Sequence, residues 1–147
     1  MPQSQISRHP IAARTTSIPW WVRVVVILGA LLLAIGAAIA LFNPVMLVSP
    51  HDEINSAVHI YAGYLAARNA ALAIMLVALL FLGARQALSN MMVLTALIQL
   101  LDACIDIAEA RWPLIPGVLL YAVLFLIGAA HLSGYPFWKI KSWISTP

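Results

Sequence analysis

The chain has 147 residues, 63% of them apolar and only 9% charged, with a formal charge of +3. An ordinary soluble domain carries about 25% charged residues, so water is not the main solvent of this chain. The basic residues stand singly at the edges of apolar runs and form no stripe, which excludes a nucleic-acid face, and a lone Cys104 excludes an intramolecular disulfide or a cysteine-built metal cage.

Residues 1–19, rich in Ser, Thr, Gln and Pro, predict a disordered cytoplasmic leader. From Val24 to Phe42 the sequence runs 19 residues without a charge, close to the ~20 that cross a hydrocarbon core as helix, and the first span is expected at about 22–42. Ala38-Ile39-Ala40 has the small-residue pattern of a signal-peptide cleavage site, but the apolar run exceeds the ~7–15 residues usual there, so a retained helix is expected.

Asn43-Pro44 stops this span. In the loop that follows, Ser49 as cap, Pro50 at the first helical position and Asp52 and Glu53 in the first turn predict a helix start, which takes precedence over His51-Asp52-Glu53 as half a metal site. The second span is expected at about 54–82. Gly83-Ala84-Arg85 is a tight turn into a third span at about 86–107, and Arg111-Trp112-Pro113 leads to a fourth at about 114–133. Residues 135–147 alternate bulky apolar side chains with Lys139 and Lys141 and predict a tail lying along the membrane surface, with a partner-binding tail as the alternative.

The fold class is therefore all-α: a four-helix transmembrane bundle over residues 20–134, up-down-up-down. Arg8, Arg14, Arg23, Arg85, Lys139 and Lys141 fall on one side of such a bundle and Arg111 alone on the other, which predicts both termini in the cytoplasm. Trp20, Trp21, Trp138 and Trp143 mark the inner boundary and Trp112 the outer one. Small residues four apart, Ala30, Ala34 and Ala38 and again Ala62, Ala66 and Ala70, are expected to pack helices together.

Three ionisable residues break the pattern at membrane depth: Arg68 in the second span and Asp102 and Asp106 in the third. At about 100° per residue, Thr95, Gln99, Asp102, Asp106 and Glu109 share an arc of roughly 80°, while Tyr61 and Tyr64 fall within roughly 40° of Arg68 and His59 points away. Residues equidistant from the turn at Gly83 to Arg85 sit level, which sets Arg68 against Leu101 or Asp102 in the outer third of a ~30 Å core, with Tyr121 of the fourth span reaching the same layer. Each such charge costs about 2.5 to 3.5 kcal/mol at a helix centre. Pairing toward the bundle interior offsets that cost. The expectation is that Arg68 pairs with Asp102, with Asp106 as a second acceptor, beneath a polar cavity lined by Tyr61, Tyr64, Gln99 and Tyr121, with Glu109 near the interface.

Two uses of that layer remain open. The ion pair can serve only to fasten two helices. The surplus of carboxylates around one arginine points instead to a ligand site or a proton relay. There is no phosphate-binding glycine loop, no nucleophile elbow and no histidine pair at metal-ligand spacing, and His59 and His131 lie near opposite surfaces, so no metal and no cofactor is expected.

The stretch Ala66-Ala67-Arg68-Asn69-Ala70-Ala71-Leu72, then Leu82-Gly83-Ala84-Arg85-Gln86-Ala87-Leu88, then Asp102, resembles a bacterial family of four-helix membrane proteins known as a domain of unknown function, loosely similar to DoxX-like bundles. The resemblance covers about residues 55 to 133. It departs at Ala73, where the family pattern has glycine. The likeness implies the fold, a bacterial inner membrane and the importance of Arg68 and Asp102, and supplies no chemistry. Three functions are compatible: a small-ligand or proton-linked binding site in an accessory or transport-related role, a membrane-embedded enzyme acting on a lipid or isoprenoid-like substrate, and a structural subunit of a membrane complex. The partners expected are the lipid bilayer, a small hydrophobic or amphipathic ligand, and a membrane protein or second copy of this chain; nucleic acid is not among them.

Overall fold

A computed structural model describes residues 17–47 and 55–134, and among them every regular element is helical. Four long helices follow one another: α1 (Trp20–Phe42), α2 (Ser56–Phe81), α3 (Arg85–Ala108) and α4 (Ile115–Ser133). All four are long and apolar enough to cross a membrane. Their outward faces carry large apolar side chains such as Ile27, Ile74, Leu101, Ile105 and Ile127. Only an apolar solvent accommodates so much exposed hydrocarbon, and the chain is an integral membrane protein. The leader, the Ser49–Glu53 helix-start pattern and the tail from Tyr135 lie outside the described residues.

Local chemistry sets the helix ends. Pro19 precedes α1, where Arg23 turns its Nε back to donate to the Ile18 carbonyl at 3.1 Å. Asn43 leaves helical geometry immediately before Pro44, as a residue preceding proline must, and a single 3-10 turn over Pro44–Leu47 follows. Asn55 is extended (φ −114°, ψ 177°) and its side chain accepts from the amides of Ala57 and Val58. A short amide side chain satisfies two of the amide groups that a helix start leaves open, so α2 begins at Ser56 with Asn55 as its cap.

Two left-handed residues close α2 and α3 in the same way. At Gly83 (φ 65°) the Gly83 amide donates to Leu80 and the Ala84 amide to Leu79; at Ala110 (φ 55°) the Ala110 amide donates to Ile107 and the Arg111 amide to Asp106. Each pair of bonds is a Schellman closure. Glycine adopts this conformation without penalty, whereas Ala110 holds it against its own Cβ at a cost of roughly 1–2 kcal/mol.

The helices associate as two close hairpins, α1 with α2 and α3 with α4, with sparser contact between α2 and α3 and between α1 and α4. One continuous core occupies the end of the bundle that holds the α2–α3 turn. There Val22 and Val26 of α1, Leu76 of α2, Leu88 and Met92 of α3 and Phe125 of α4 are all completely buried. Glycines let the backbones meet: the Phe125 ring occupies the volume that a side chain at Gly29 would need, and the Met92 side chain does the same at Gly128. Ser89 donates to the Ala129 carbonyl at 2.8 Å, which fixes the register of α3 against α4.

Beyond that core the bundle opens. No residue of α1 between Ala30 and Ala40 is buried, and none of α4 before Ala122. What persists at this end is a small cluster of Ala40, Ala62 and Ala66 in the first hairpin, with Ala103 and Asp106 buried on α3. The packing row of α1 thus runs through Gly29, Ala30 and Ala40, while Ala34 and Ala38 face outward, a correction to the expected row of Ala30, Ala34 and Ala38. On α2 the expected row holds, with Ala62 and Ala66 buried and Ala70 half-buried.

Candidate functional site

The polar layer lies where the shared apolar core ends. Arg68 sits at the middle of α2 and Asp102 six residues before the end of α3, or ~9 Å along the axis, in the last third of that helix. The guanidinium grips the carboxylate with both Nη groups, Nη1 to Oδ1 at 3.1 Å and Nη2 to Oδ2 at 2.9 Å. Paired planes of this kind are the strongest form of the interaction. The pair is not sealed, because the two side chains keep 37% and 32% of their surface.

Three further polar groups surround it. Asn69, next to Arg68, is buried and points its Nδ2 at Gly36 of α1, where a Cβ would come within 3.2 Å. Gln99, one turn before Asp102 on α3, is half-buried. Among the described residues, two buried side-chain polar atoms find no hydrogen-bond partner, Nε of Arg68 and Oε1 of Gln99. An unpartnered buried polar atom costs about 1–3 kcal/mol, and this pair of deficits stands in one layer. Thr95 is buried on the same face but returns its hydroxyl to the Met91 carbonyl at 2.9 Å, so it is locally satisfied.

Asp106 departs from the expected arrangement. Its carboxylate lies 3.7 Å from Nη1 of Arg111 rather than with Arg68, and it is the more buried partner of that pair. The left-handed Ala110 turns the chain back so that Arg111 also donates its backbone amide to the Asp106 carbonyl at 2.7 Å. A carboxylate in the last turn of a helix is opposed by the macrodipole, and Arg111 supplies the compensating charge. Each of the two aspartates therefore has its own arginine, and the surplus of acceptors around Arg68 disappears. Glu109, the residue that closes α3, is exposed.

Tyr61 and Tyr64 do not line an inward cavity: they are 73% and 70% exposed. The buried row of α2 is Ala62, Ala66, Asn69, Ala73 and Leu76, with Leu72 buried on its flank. Arg68 lies roughly a third of a turn off that row, and its long side chain reaches back to α3 where shorter-reaching tyrosines on the same flank cannot. The tyrosines lie one to two turns beyond Arg68, level with the last turn of α3, a depth at which amphipathic rings favour the membrane boundary. Tyr121 of α4 is half-buried and stands edge-on to Phe125 of the apolar core, ring centres 6.2 Å apart. His59 is exposed, and His131 meets Trp21 edge-on at 5.3 Å at the far end of the bundle. No group of three or more metal-ligating side chains occurs among the described residues.

The arrangement can bind and orient a polar head at membrane depth, since it has donors and acceptors with unused capacity. It has little equipment for acid–base work, since both aspartates are engaged by arginines and the tyrosines face outward. Compared with known protein families, curated proteins and solved structures, this chain has no match in any of the three, so its fold and its polar layer are described from its own residues alone.

Proposed function

We propose that this membrane protein binds a small amphipathic molecule in the polar layer around Arg68, Asp102 and Gln99, in an accessory or transport-related role. One observation carries the reading: the Arg68–Asp102 pair stays about one-third exposed while two buried polar atoms beside it lack partners. A pair that merely fastens helices is best dry and saturated. The engagement of Asp106 by Arg111 favours ligand binding over a proton relay, because two neighbouring carboxylates no longer compete for one cation. The outward tyrosines likewise remove support from a tyrosine-lined enzyme pocket.

The membrane is, on this reading, a bacterial inner membrane with both termini cytoplasmic. The excess of Arg and Lys at the end holding Arg23 and Arg85 supports the orientation, and the resemblance to DoxX-like bundles supports the setting. Retention of the first helix accords with its supplying Val22 and Val26 to the core.

Native mass spectrometry of the purified protein in mild detergent tests the binding reading. The expected result is a retained molecule of a few hundred daltons that disappears in Asp102→Asn. An empty wild-type protein, indistinguishable from that variant after extraction in several detergents, would leave the ion pair a fastener.

A further inference from the structure

We infer that the exposed side of the Arg68–Asp102 pair is an interface between two copies of this chain, related by a two-fold axis along the membrane normal that sets Arg68 of each copy against Asp102 of the other. The inference goes beyond the binding reading, since it concerns what covers the pair whether or not a molecule is held nearby. Arg68 and Asp102 join α2 to α3 through hydrogen bonds of 3.1 and 2.9 Å, yet the two side chains keep 37% and 32% of their surface. The positions flanking that surface also face outward. On α2, Tyr64, Ala71 and Met75 stand within roughly 60° of Arg68 and are all exposed, and on α3 the exposed Ile105 and the half-buried Ile98 stand within roughly 60° of Asp102. The bidentate grip uses one N–H of each Nη and one lone pair of each Oδ, and each of these atoms has another. Lipid tails can neither accept from the spare N–H groups nor donate to the carboxylate, so charge left bare toward them is costly.

A second copy supplies both missing partners. Copies that share one orientation in a membrane can be related by a two-fold axis only along the membrane normal, because an axis in its plane would invert one of them. Such an axis preserves depth and reverses lateral order. The two charged groups touch, so they share one depth, and a facing copy presents the same charges there in the opposite order, arginine to aspartate and aspartate to arginine. Each guanidinium then bridges two carboxylates, and each carboxylate two guanidiniums. An unrelated partner would need its own acid–base pair at that depth in reversed order, which this chain already carries. The same axis sets α2 of one copy against α3 of the other. Counting from the α2–α3 turn, Ala71 and Ile98 stand at about the same depth, and the small Ala71 side chain lets the facing helix come close.

The test uses the full-length chain in the membranes of the expressing cell. Two differently tagged forms are co-expressed, both with Cys104→Ser, one carrying Ala71→Cys and the other Ile98→Cys, and the membranes are oxidised. A disulfide-linked species bearing both tags is expected, and none when Ala34→Cys, at an exposed position of α1, takes the place of Ala71→Cys. Native mass spectrometry in mild detergent is expected to give the mass of two copies. The double variant Arg68→Leu with Asp102→Leu, whose melting temperature records whether it is folded, is expected to dimerise at least about tenfold more weakly. Absence of the doubly tagged link, equal linking from Ala34→Cys, or unchanged dimerisation of the folded double variant overturns the inference. So does a complex in which a different membrane protein covers this face and no second copy is linked. The binding reading fails separately: a single copy that retains a molecule of a few hundred daltons overturns the interface and leaves that reading standing, and a pair of copies with nothing bound does the reverse.

Discussion

The two ends of this bundle are built to different standards. At the end holding the α2–α3 turn, α1 to α4 all contribute completely buried apolar side chains, glycines meet rings and methionine, and the turn residue with a left-handed backbone is Gly83. At the other end fewer apolar side chains are buried, an ion pair keeps about a third of its surface exposed, two polar atoms lack partners, and the left-handed residue is an alanine. Every local choice at the first end agrees with stability, while the unfavourable choices gather at the second. Such a segregation is expected when one region holds the fold and the other does the work, because strain and unmet polar groups persist only where surrounding structure can carry them.

The comparison breaks most readily at Phe125. Its truncation to alanine removes the ring that joins α4 to α1, and a loss of about 3–5 kcal/mol is expected from the cavity and forfeited contacts. Reversible unfolding in mixed micelles measures it; a loss below ~1 kcal/mol would mean that the closed end is not the stabilising one.

Arg68→Leu comes next. It strands the Asp102 carboxylate at membrane depth, and about 2–3 kcal/mol is expected, below the value for a fully buried pair because these side chains remain partly exposed. The double variant Arg68→Leu with Asp102→Leu should recover most of that stability while losing bound ligand. If the double variant is as unstable as the single one, the layer is structural and the division between ends dissolves.

The smallest effects sharpen the contrast between the two Schellman closures. Gly83→Ala should cost about 1 kcal/mol and Ala110→Gly should add about 0.5–1 kcal/mol, since the same backbone conformation is occupied by the right residue in one place and the wrong one in the other. Opposite signs in parallel melts check the pair. A gain in stability at Ala110→Gly accompanied by weaker ligand retention would tie the strain to the site.

The spans were legible because apolar runs in this chain end at punctuation: Asn43-Pro44, Gly83 and Trp112-Pro113. The level of Arg68 against Asp102 was legible for a related reason, since a three-residue turn leaves little freedom in how two antiparallel helices align. The inward face of α2 was not. A helix apolar on every side has no polar stripe to mark which face packs, so the sequence places Tyr61 and Tyr64 only by their angle to Arg68, while Asn69 and the alanines define the buried row. The Asp106–Arg111 contact was hidden because it depends on a left-handed alanine, and no glycine signals the reversal. Asn55 lay behind a rival capping pattern only six residues upstream, at Ser49.

Where α1 crosses α4, the Phe125 ring fills the space above Gly29. Positions 29 and 125 therefore cannot drift separately over evolutionary time: a lineage that keeps an aromatic ring at one is held to glycine at the other, and a methyl group becomes admissible at 29 only after 125 shrinks. Homologous chains should show these two sites changing together, in that order.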